Sequence, residues 1–139
     1  TTCVAAFVRN GTVHTVNVGD SRAYLVTHEI RQITRDHSMV MNMFERGDIT
    51  KEELKHHPKR NVITRAVGVS ENVEPDYFEN ELPANGAVIL CTDGLSNYCD
   101  EGVIFRMTKD ISPEELPKAL VKTALDNGSG DNITAALIK

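Results

Sequence analysis

One stretch of the chain decides the fold, Ala87-Val88-Ile89-Leu90-Cys91-Thr92-Asp93-Gly94-Leu95. Its apolar run has no polar alternation and predicts a strand that is buried on both faces. The run stops at Asp93, and the glycine that follows allows an immediate tight turn. An Asp held at the end of a core strand, and open to solvent on one side, is well placed to bind a metal ion or another ligand.

Two further Asp residues have similar surroundings. Asp20 follows the strand-like run 12–18, between Gly19 and Ser21, and Asp131 follows Gly130 just before the apolar run 133–138. For any one of them, the simpler interpretation is an Asp that caps a turn. Three carboxylates at Gly-flanked strand ends favour one shared acidic site.

Length and composition limit the possible classes of protein. The 139 residues suit one domain with a real core, and 40% hydrophobic and 25% charged residues are ordinary for a globular protein. The net charge of -5 and the lack of a Lys/Arg cluster argue against nucleic-acid binding. No apolar stretch is long enough to span a bilayer, and no signal pattern is present.

The cysteines and the N-terminus give two further expectations. Cys3, Cys91 and Cys99 are odd in number and lack C-x-x-C spacing. They predict buried or incidental thiols in a reducing, cytoplasmic compartment, and neither a zinc site nor a disulfide framework. The chain opens on a strand-like segment at Thr1, without Met, so we expect it to be cut from something longer.

The first half of the chain changes character near residue 34. Residues 2–33 predict an antiparallel meander of four strands, with Asn10-Gly11 as a hairpin turn. Ser38 and Thr50 are candidate caps of two short helices. Residues 61–75 predict an extended loop, and residues 77–82 an edge strand.

The second half adds helices and a returning strand. Asp100 is a candidate cap of one helix, and Ser112 opens a capping box for another. Pro117 fits that second helix badly, so the helix begins irregularly or one turn later. Strands, then helices, then a strand over 132–138 predict an α+β fold with a largely antiparallel sheet.

Carboxylates without accompanying Cys or clustered His suit hard cations such as Mg²⁺ or Mn²⁺. The spacing of a calcium-binding loop is absent. Two divalent ions about 3.5–4 Å apart are a standard device for hydrolysing phosphate esters. His56 and His57 could form a metal or phosphate patch, but neighbouring helical side chains point in different directions, so a polar insertion with incidental histidines is the simpler interpretation.

Five segments carry a resemblance to a known family, and they occur in this order: Val18-Gly19-Asp20-Ser21-Arg22, Thr34-Arg35-Asp36-His37-Ser38, Asn61-Val62-Ile63-Thr64-Arg65-Ala66-Val67-Gly68, Leu90-Cys91-Thr92-Asp93-Gly94-Leu95 and Gly128-Ser129-Gly130-Asp131-Asn132-Ile133-Thr134. They resemble consecutive motifs of the metal-dependent type 2C (PPM) protein Ser/Thr phosphatases, most closely the compact bacterial members. The resemblance covers essentially the whole chain.

The resemblance implies a fold and a set of metal ligands. The family fold is a sandwich of two antiparallel sheets flanked by helices, and residues 1–139 would be the C-terminal part of this single catalytic domain. Asp93 would ligate the first metal of a binuclear centre, Asp131 would share that ion, and Asp20 with Asp93 would form a third-metal site. Residues 38–60 would match the flap, a variable segment beside the active site.

Other motif residues are expected to have structural roles. Asp36 and Arg65 match positions that would anchor the flap by an ion pair. The Asn132 side chain would fix its own loop by hydrogen bonds. Ser21 and Arg22 would be turn and packing residues, with phosphate binding by Arg22 as the less favoured alternative.

Part of the family pattern is absent from these residues. The Asp-Gly-His-Gly-Gly motif, which supplies a metal-bridging Asp and a candidate general-acid His, does not occur. The N-terminal phosphate-binding Arg and the Glu-Asp pair of the family are not found either. We therefore expect the isolated chain to bind divalent metal weakly and to show little phosphatase activity.

The implied function is hydrolysis of phosphoserine and phosphothreonine in proteins by metal-activated water, with two or three Mn²⁺ or Mg²⁺ ions. The substrates would be phosphoproteins produced by Ser/Thr kinases, with no nucleic-acid or membrane partner. A catalytically silent binding or regulatory module is the alternative, but such a module has no chemical reason to keep the mutually repelling Asp20, Asp93 and Asp131. Missing strands would expose sheet edges, so the chain is also expected to self-associate.

Overall fold

The computed structural model describes all 139 residues and contains seven strands and five helices. The strands are β1 (Cys3–Arg9), β2 (Thr12–Val18), β3 (Arg22–Val26), β4 (Ile30–Gln32), β5 (Asp76–Glu81), β6 (Ala87–Cys91) and β7 (Ala135–Ile138). The helices are α1 (Met39–Glu45), α2 (Lys51–His56), α3 (Asp93–Ser96), α4 (Glu101–Asp110) and α5 (Leu116–Asp126). All strand pairs are antiparallel, which confirms the α+β prediction.

The strands form two sheets, with the orders β1-β2-β5 and β4-β3-β6-β7. The predicted four-strand meander is therefore wrong, because β2 and β3 belong to different sheets. The chain crosses between the sheets at Gly19, whose φ of +108° is rarely adopted by other residues. A Cβ at this position would lie 2.4 Å from the Thr2 side chain. The chain thus leaves one sheet and enters the other just where Asp20 lies.

The two sheets pack face to face, and helices α3, α4 and α5 cover the outer face of the four-stranded sheet. The core between the sheets is built from Val13, Ala23, Leu25, Ile33 and Val88. The core beneath the helices is built from Tyr24, Val26, Ile89, Cys91, Leu95, Cys99, Ile104, Leu116, Leu120 and Ala124. Strand β6 contributes to both cores, which confirms that it is buried on both faces.

The outer face of the three-stranded sheet is open. Phe7 on β1 is 62% exposed and Tyr77 on β5 is 73% exposed. Strand β5 lies at the edge of this sheet, as predicted.

Three of the four predicted helix caps are confirmed, but Ser112 does not cap α5, whose N-cap residue is Glu115 and has no side-chain cap bond. The side chains of Ser38, Thr50 and Asp100 accept hydrogen bonds from backbone N–H groups in the first turns of α1, α2 and α4. Helix α5 begins at Leu116, so Pro117 lies in its first turn, where its missing N–H is tolerated. No helix in the structure has the length and apolar character needed to cross a membrane.

Candidate metal centre

The three candidate carboxylates lie at the same end of the four-stranded sheet. The adjacent strands β3, β6 and β7 are aligned there through three paired residues, Arg22, Cys91 and Ala135. Asp20 precedes the first residue of β3, Asp93 follows the last residue of β6, and Asp131 precedes β7. The sheet register therefore brings together three segments that are distant in sequence.

Two of these carboxylates have raised pKa values. Burial raises the pKa of Asp20, and the charge of Asp93 raises it further. Burial likewise raises the pKa of Asp93, and its second cause is the charge of Asp131. Asp93 thus interacts with a carboxylate on each side, and such mutual repulsion is relieved when a cation binds between the groups.

The carboxylates interact as pairs and do not form a closed cluster. No group of three or more His, Cys, Asp or Glu side chains in the structure is arranged to hold a metal ion. The oxygen donors of Asp20, Asp93 and Asp131 fit a hard cation in kind, but Mg²⁺ requires close to octahedral coordination. An ion at either pair would therefore need further ligands from water or from residues outside this chain. The assignment of these three residues as metal ligands stays a prediction.

The segments that carry Asp93 and Asp131 are joined by direct hydrogen bonds. The Thr92 backbone N–H donates to the Thr134 carbonyl at 3.1 Å, and the Thr134 N–H donates to Thr92 Oγ1 at 3.0 Å. The buried Ser129 hydroxyl donates to the Gly94 carbonyl at 2.9 Å. These bonds fix the end of β6 against the loop before β7, and so set the position of one carboxylate relative to the other.

Gly94 has a different role from the predicted one. The chain turns directly after β6, as predicted, with the Leu95 N–H donating to the Thr92 carbonyl at 3.0 Å where Asp93 begins the one-turn helix α3, but Gly94 does not have a positive φ. A Cβ on Gly94 would lie 2.4 Å from the Asn132 carbonyl oxygen. The glycine is required because the backbone of the Asp131 loop passes directly over it.

Asn132 fixes its loop through its backbone, which corrects the prediction of side-chain bonds. Its N–H donates to Asp131 Oδ1 at 2.7 Å, and its carbonyl accepts from the Thr92 hydroxyl at 3.3 Å. The Asn132 side chain is solvent-exposed and makes neither contact. A side-chain role and a backbone role cannot be told apart from sequence alone.

The predicted ion pair between Asp36 and Arg65 is wrong, because each residue has another partner. Arg22 binds Asp36 through Nη2–Oδ2 at 2.6 Å and through Nε at 3.1 Å from both oxygens. Gln32 also donates to Asp36 Oδ1, at 2.8 Å. The guanidinium of Arg22 is therefore occupied within the protein, which agrees with a packing role and not with phosphate binding.

Arg65 binds the start of β5. Its Nη1 donates to Asp76 Oδ1 at 2.7 Å and to the Glu74 carbonyl at 2.8 Å. Burial opposes ionisation of Asp76, but the bonds from His37 and Arg65 outweigh it and hold the pKa of Asp76 below its ordinary value. Arg65 thus attaches the loop 61–75 to β5, the strand that follows it.

Residues 38–60, the predicted flap, contain α1 and α2 and are attached to the body at their base. The Met39 N–H donates to the Val62 carbonyl at 2.8 Å, and Ser38 forms a β-bridge with Ile63. Arg35 adds an ion pair with Glu45 and donates to Asn42 at 2.8 Å. The role of this segment as a flap stays a prediction.

Two buried polar residues near Asp20 were missed from sequence. His37 is only 1% exposed, and Asn17 is fully buried on the inward face of β2. Asn17 Nδ2 donates to the carbonyls of Gly19 and Arg35 at 3.1 and 2.9 Å. The alternation from Val13 through Thr15 could have placed Asn17 inside, but nothing local marks His37 as buried.

The three thiols are free, and Cys91 and Cys99 are buried while Cys3 is exposed. Burial raises the pKa of Cys91 to about 12, so this thiol stays protonated and unreactive near neutral pH. The Cys91 thiol therefore contributes no ligand to the acidic end of the sheet.

Two packed antiparallel sheets, helices on one outer face and carboxylates at one sheet end define an α+β protein with a candidate acidic metal site. The family model for Protein phosphatase 2C matches residues 1–133. The chain belongs to this family, which confirms the resemblance carried by its five motifs.

Relatives and solved structures agree with that assignment. The serine/threonine phosphatase stp of Listeria monocytogenes is 38% identical over 141 residues, covering 100% of this chain and 56% of the relative. The crystal structure of the serine/threonine phosphatase Stp1 from Staphylococcus aureus has a TM-score of 0.93 at 42% identity, covering 99% of this chain and 56% of that one. The catalytic domain of the serine threonine protein phosphatase PstP, solved with 2 manganese ions, has a TM-score of 0.84 at 31% identity, with 99% and 59% covered. The chain thus spans little more than half the length of these relatives.

Proposed function

We propose that residues 1–139 are the C-terminal part of a phosphatase 2C catalytic domain that removes phosphate from phosphoserine and phosphothreonine in proteins. The observation that carries the proposal is the position of Asp20, Asp93 and Asp131 at one end of the four-stranded sheet. The raised pKa values of Asp20 and Asp93 support it, because half-buried carboxylates without a bound cation oppose their own ionisation. Phosphoproteins made by Ser/Thr kinases are the proposed substrates.

The chain's own residues would bind and orient the metal ions. Asp93 and Asp131 would hold one ion of a binuclear centre, and Asp20 with Asp93 would hold a third. Bound Mn²⁺ or Mg²⁺ would supply activated water and positive charge for the phosphoryl group. Arg22 would act indirectly, since its ion pair with Asp36 fixes the first residue of β3 next to Asp20.

A catalytically silent module is the weaker candidate. No charged side chain neutralises the Asp93–Asp131 pair by a salt bridge, so keeping both carboxylates has an electrostatic cost that a bound cation would offset. The Asp-Gly-His-Gly-Gly motif is absent from this chain, so the proposed activity requires a longer chain that contains residues 1–139.

The proposal is tested in two steps. Mn²⁺ binding to residues 1–139 is measured by calorimetry for the wild type and for Asp93→Asn, Asp131→Asn and Asp110→Asn. Asp110 is a matched control because it is exposed and lies away from the candidate site, at the end of α4. Its neighbour Lys109 donates to the carbonyl of Thr27, which follows the end of β3 opposite to Asp20. We expect weak binding that both site variants abolish and that Asp110→Asn keeps.

The second step measures phosphatase turnover on a phosphopeptide by a longer chain that contains these residues. Asp93→Asn should lower kcat by more than about 100-fold, beyond the 10–100-fold that loss of an outer-shell metal partner typically costs. Equal turnover by the wild type and Asp93→Asn would refute the proposed site. Metal binding without any turnover would favour the silent module instead.

A further inference from the structure

The imidazole of His37 is buried at a junction of three segments. Its Nδ1 lies 3.1 Å from the Gly19 backbone nitrogen, and its Nε2 lies 3.1 Å from Asp76 Oδ2. Its own backbone N–H donates to the Gly19 carbonyl at 2.9 Å, and its carbonyl accepts from the Thr64 N–H at 2.8 Å. One residue therefore contacts the turn before β3, the loop 61–75 and the first residue of β5.

The hydrogen bonds around the ring determine its tautomer. The Gly19 N–H can only donate, so Nδ1 must accept and carry no proton. The proton of the neutral ring is then on Nε2, which donates to Asp76. Arg65 Nη1 lies 3.2 Å from the same Nε2, but it donates to Asp76 and to the Glu74 carbonyl instead.

We propose that His37 is a positioning residue that locks the Gly19–Asp20 turn, so that the Asp20 carboxylate stays beside Asp93. This inference rests on the metal site under the proposed function. His37 holds both polar groups of the Gly19 backbone, the N–H through its ring and the carbonyl through its own N–H. Asn17 Nδ2 also donates to the Gly19 carbonyl at 3.1 Å, so the contact that the His37 ring adds is the one to the Gly19 N–H. Gly19 has a φ of +108° and the conformational freedom of a glycine, so without the ring bond its N–H side of the turn would sample other conformations.

Only an imidazole supplies both hydrogen bonds at this position. An amide side chain can keep one of them and lose the other. Asn places an acceptor where Nδ1 lies, so His37→Asn keeps the bond from the Gly19 N–H and loses the bond to Asp76. Gln places a donor where Nε2 lies, so His37→Gln keeps the bond to Asp76 and loses the acceptor. The pair of variants therefore distinguishes locking of the turn from general support of the fold.

The first measurement uses NMR on the 15N-labelled chain. The ring nitrogens of the wild type should show an unprotonated Nδ1 and a protonated Nε2. The Gly19 amide should exchange with solvent at least about 10-fold faster in His37→Gln than in the wild type, and His37→Asn should keep its protection. A protonated Nδ1, or equal Gly19 exchange in the two variants, would overturn the inference.

The second measurement is the Mn²⁺ affinity of the same chains, with Asp20→Asn as the reference for loss of that ligand. His37→Gln should weaken Mn²⁺ binding by about 10-fold, which is typical for the loss of a residue that holds a metal ligand in place. His37→Asn should keep most of the wild-type affinity. His28→Asn, at an exposed position between β3 and β4, is the control. If Asp20→Asn lowers affinity and His37→Gln does not, the positioning role is wrong. If Asp20→Asn binds as the wild type does, the proposed third-metal site is wrong, and Gly19 exchange still decides whether His37 locks the turn.

Discussion

The two sheets differ in what lies on their outer faces. The four-stranded sheet is packed on both sides, against the other sheet and against α3, α4 and α5. The three-stranded sheet is packed on one side, and its outer face exposes Phe7 and Tyr77. All three candidate carboxylates lie at the end of the sheet that is packed on both sides. We therefore expect the candidate site to lie on the more rigid of the two sheets, as functional side chains require.

In the core shared by the two sheets, the buried polar atoms that lack hydrogen-bond partners lie on the three-stranded sheet. Thr15 and Asn17 point inward from β2, and Thr15 Oγ1 and Asn17 Oδ1 are buried without a hydrogen-bond partner. The facing strands contribute apolar Ala23, Leu25 and Val88. Unsatisfied buried oxygens reduce stability. The core beneath the helices contains no such unsatisfied oxygen, so we expect side-chain truncations there to cost more stability.

The largest expected effect comes from truncating that helix-covered core. Leu120 on α5 is 1% exposed, so Leu120→Ala should lower the free energy of unfolding by about 2–5 kcal/mol. Phe7→Ala, on the open face, should change it by less than about 0.5 kcal/mol because Phe7 is already hydrated. Urea unfolding followed by circular dichroism measures both values.

Leu125→Ala is the control, since Leu125 lies on the same helix and is 54% exposed. It carries the same change in helix propensity as Leu120→Ala without the loss of buried contacts. Equal destabilisation by Leu120→Ala and Phe7→Ala would mean that the open face is covered in solution, and the comparison of the two sheets would fail.

A smaller effect is expected at the acidic end of the four-stranded sheet. In Gly94→Ala the new methyl group would meet the Asn132 carbonyl oxygen at 2.4 Å, so the loop before β7 must shift. Overpacking of this kind typically costs about 1–3 kcal/mol. Thermal unfolding measures the loss of stability, and Mn²⁺ affinity should fall with it as Asp131 moves away from Asp93.

Gly130→Ala provides the matched control for that loop. A Cβ on Gly130 would have no neighbour within 4 Å, and its φ is not positive, so its stability should stay within about 0.5 kcal/mol of the wild type. If Gly94→Ala is equally silent, the loop before β7 is not tightly held, and the rigidity assigned to this end of the sheet is wrong.

Features set by nearby residues were predictable from sequence. The hairpin at Asn10-Gly11, the cap at Ser38 and the late start of α5 at Leu116, which leaves Pro117 in its first turn, each depend on residues within one turn. Strand β6 was recognised as buried on both faces because its apolar run lacks alternation. Such signals are local, so tertiary structure had little opportunity to override them.

Features set by distant residues were not predictable in the same way. The partners of Asp36 and Arg65 depend on which strands neighbour one another, and that was unknown while β2 and β3 were assigned to one sheet. The need for Gly94 arises from a loop almost 40 residues away in sequence, at Asn132. The resemblance located the candidate carboxylates and implied their pairing, and the sheet register supplies the physical reason why they lie at one end of the sheet.

The smallest expected effect comes from the charge of Asp93 and not from the packing of the sheet. In the absence of divalent cations at pH 7, the free energy of unfolding of Asp93→Asn should exceed that of the wild type by about 0.5–1 kcal/mol. Gains of this size are typical when surface charges are optimised. The pKa of Asp93 is raised above its ordinary value of 3.8, so the folded wild type binds this proton more tightly than the unfolded chain. Its stability therefore falls as the pH rises from 3.8 through the raised pKa, and stays reduced above it.

The pH series distinguishes this charge effect from a change in packing. The advantage of Asp93→Asn should be largest near pH 7, should shrink as the pH falls through the raised pKa of the folded state, and should vanish only well below 3.8, where the wild-type carboxyl is neutral in both states. Thermal unfolding in EDTA at several pH values measures it, with Asp110→Asn as the control for net charge. Added Mn²⁺ should reverse the order, because it stabilises only a chain that can bind it. If the stability gain of Asp93→Asn is constant across the pH range, repulsion between the carboxylates is not its source. The end of the four-stranded sheet would then carry no electrostatic cost for a cation to relieve.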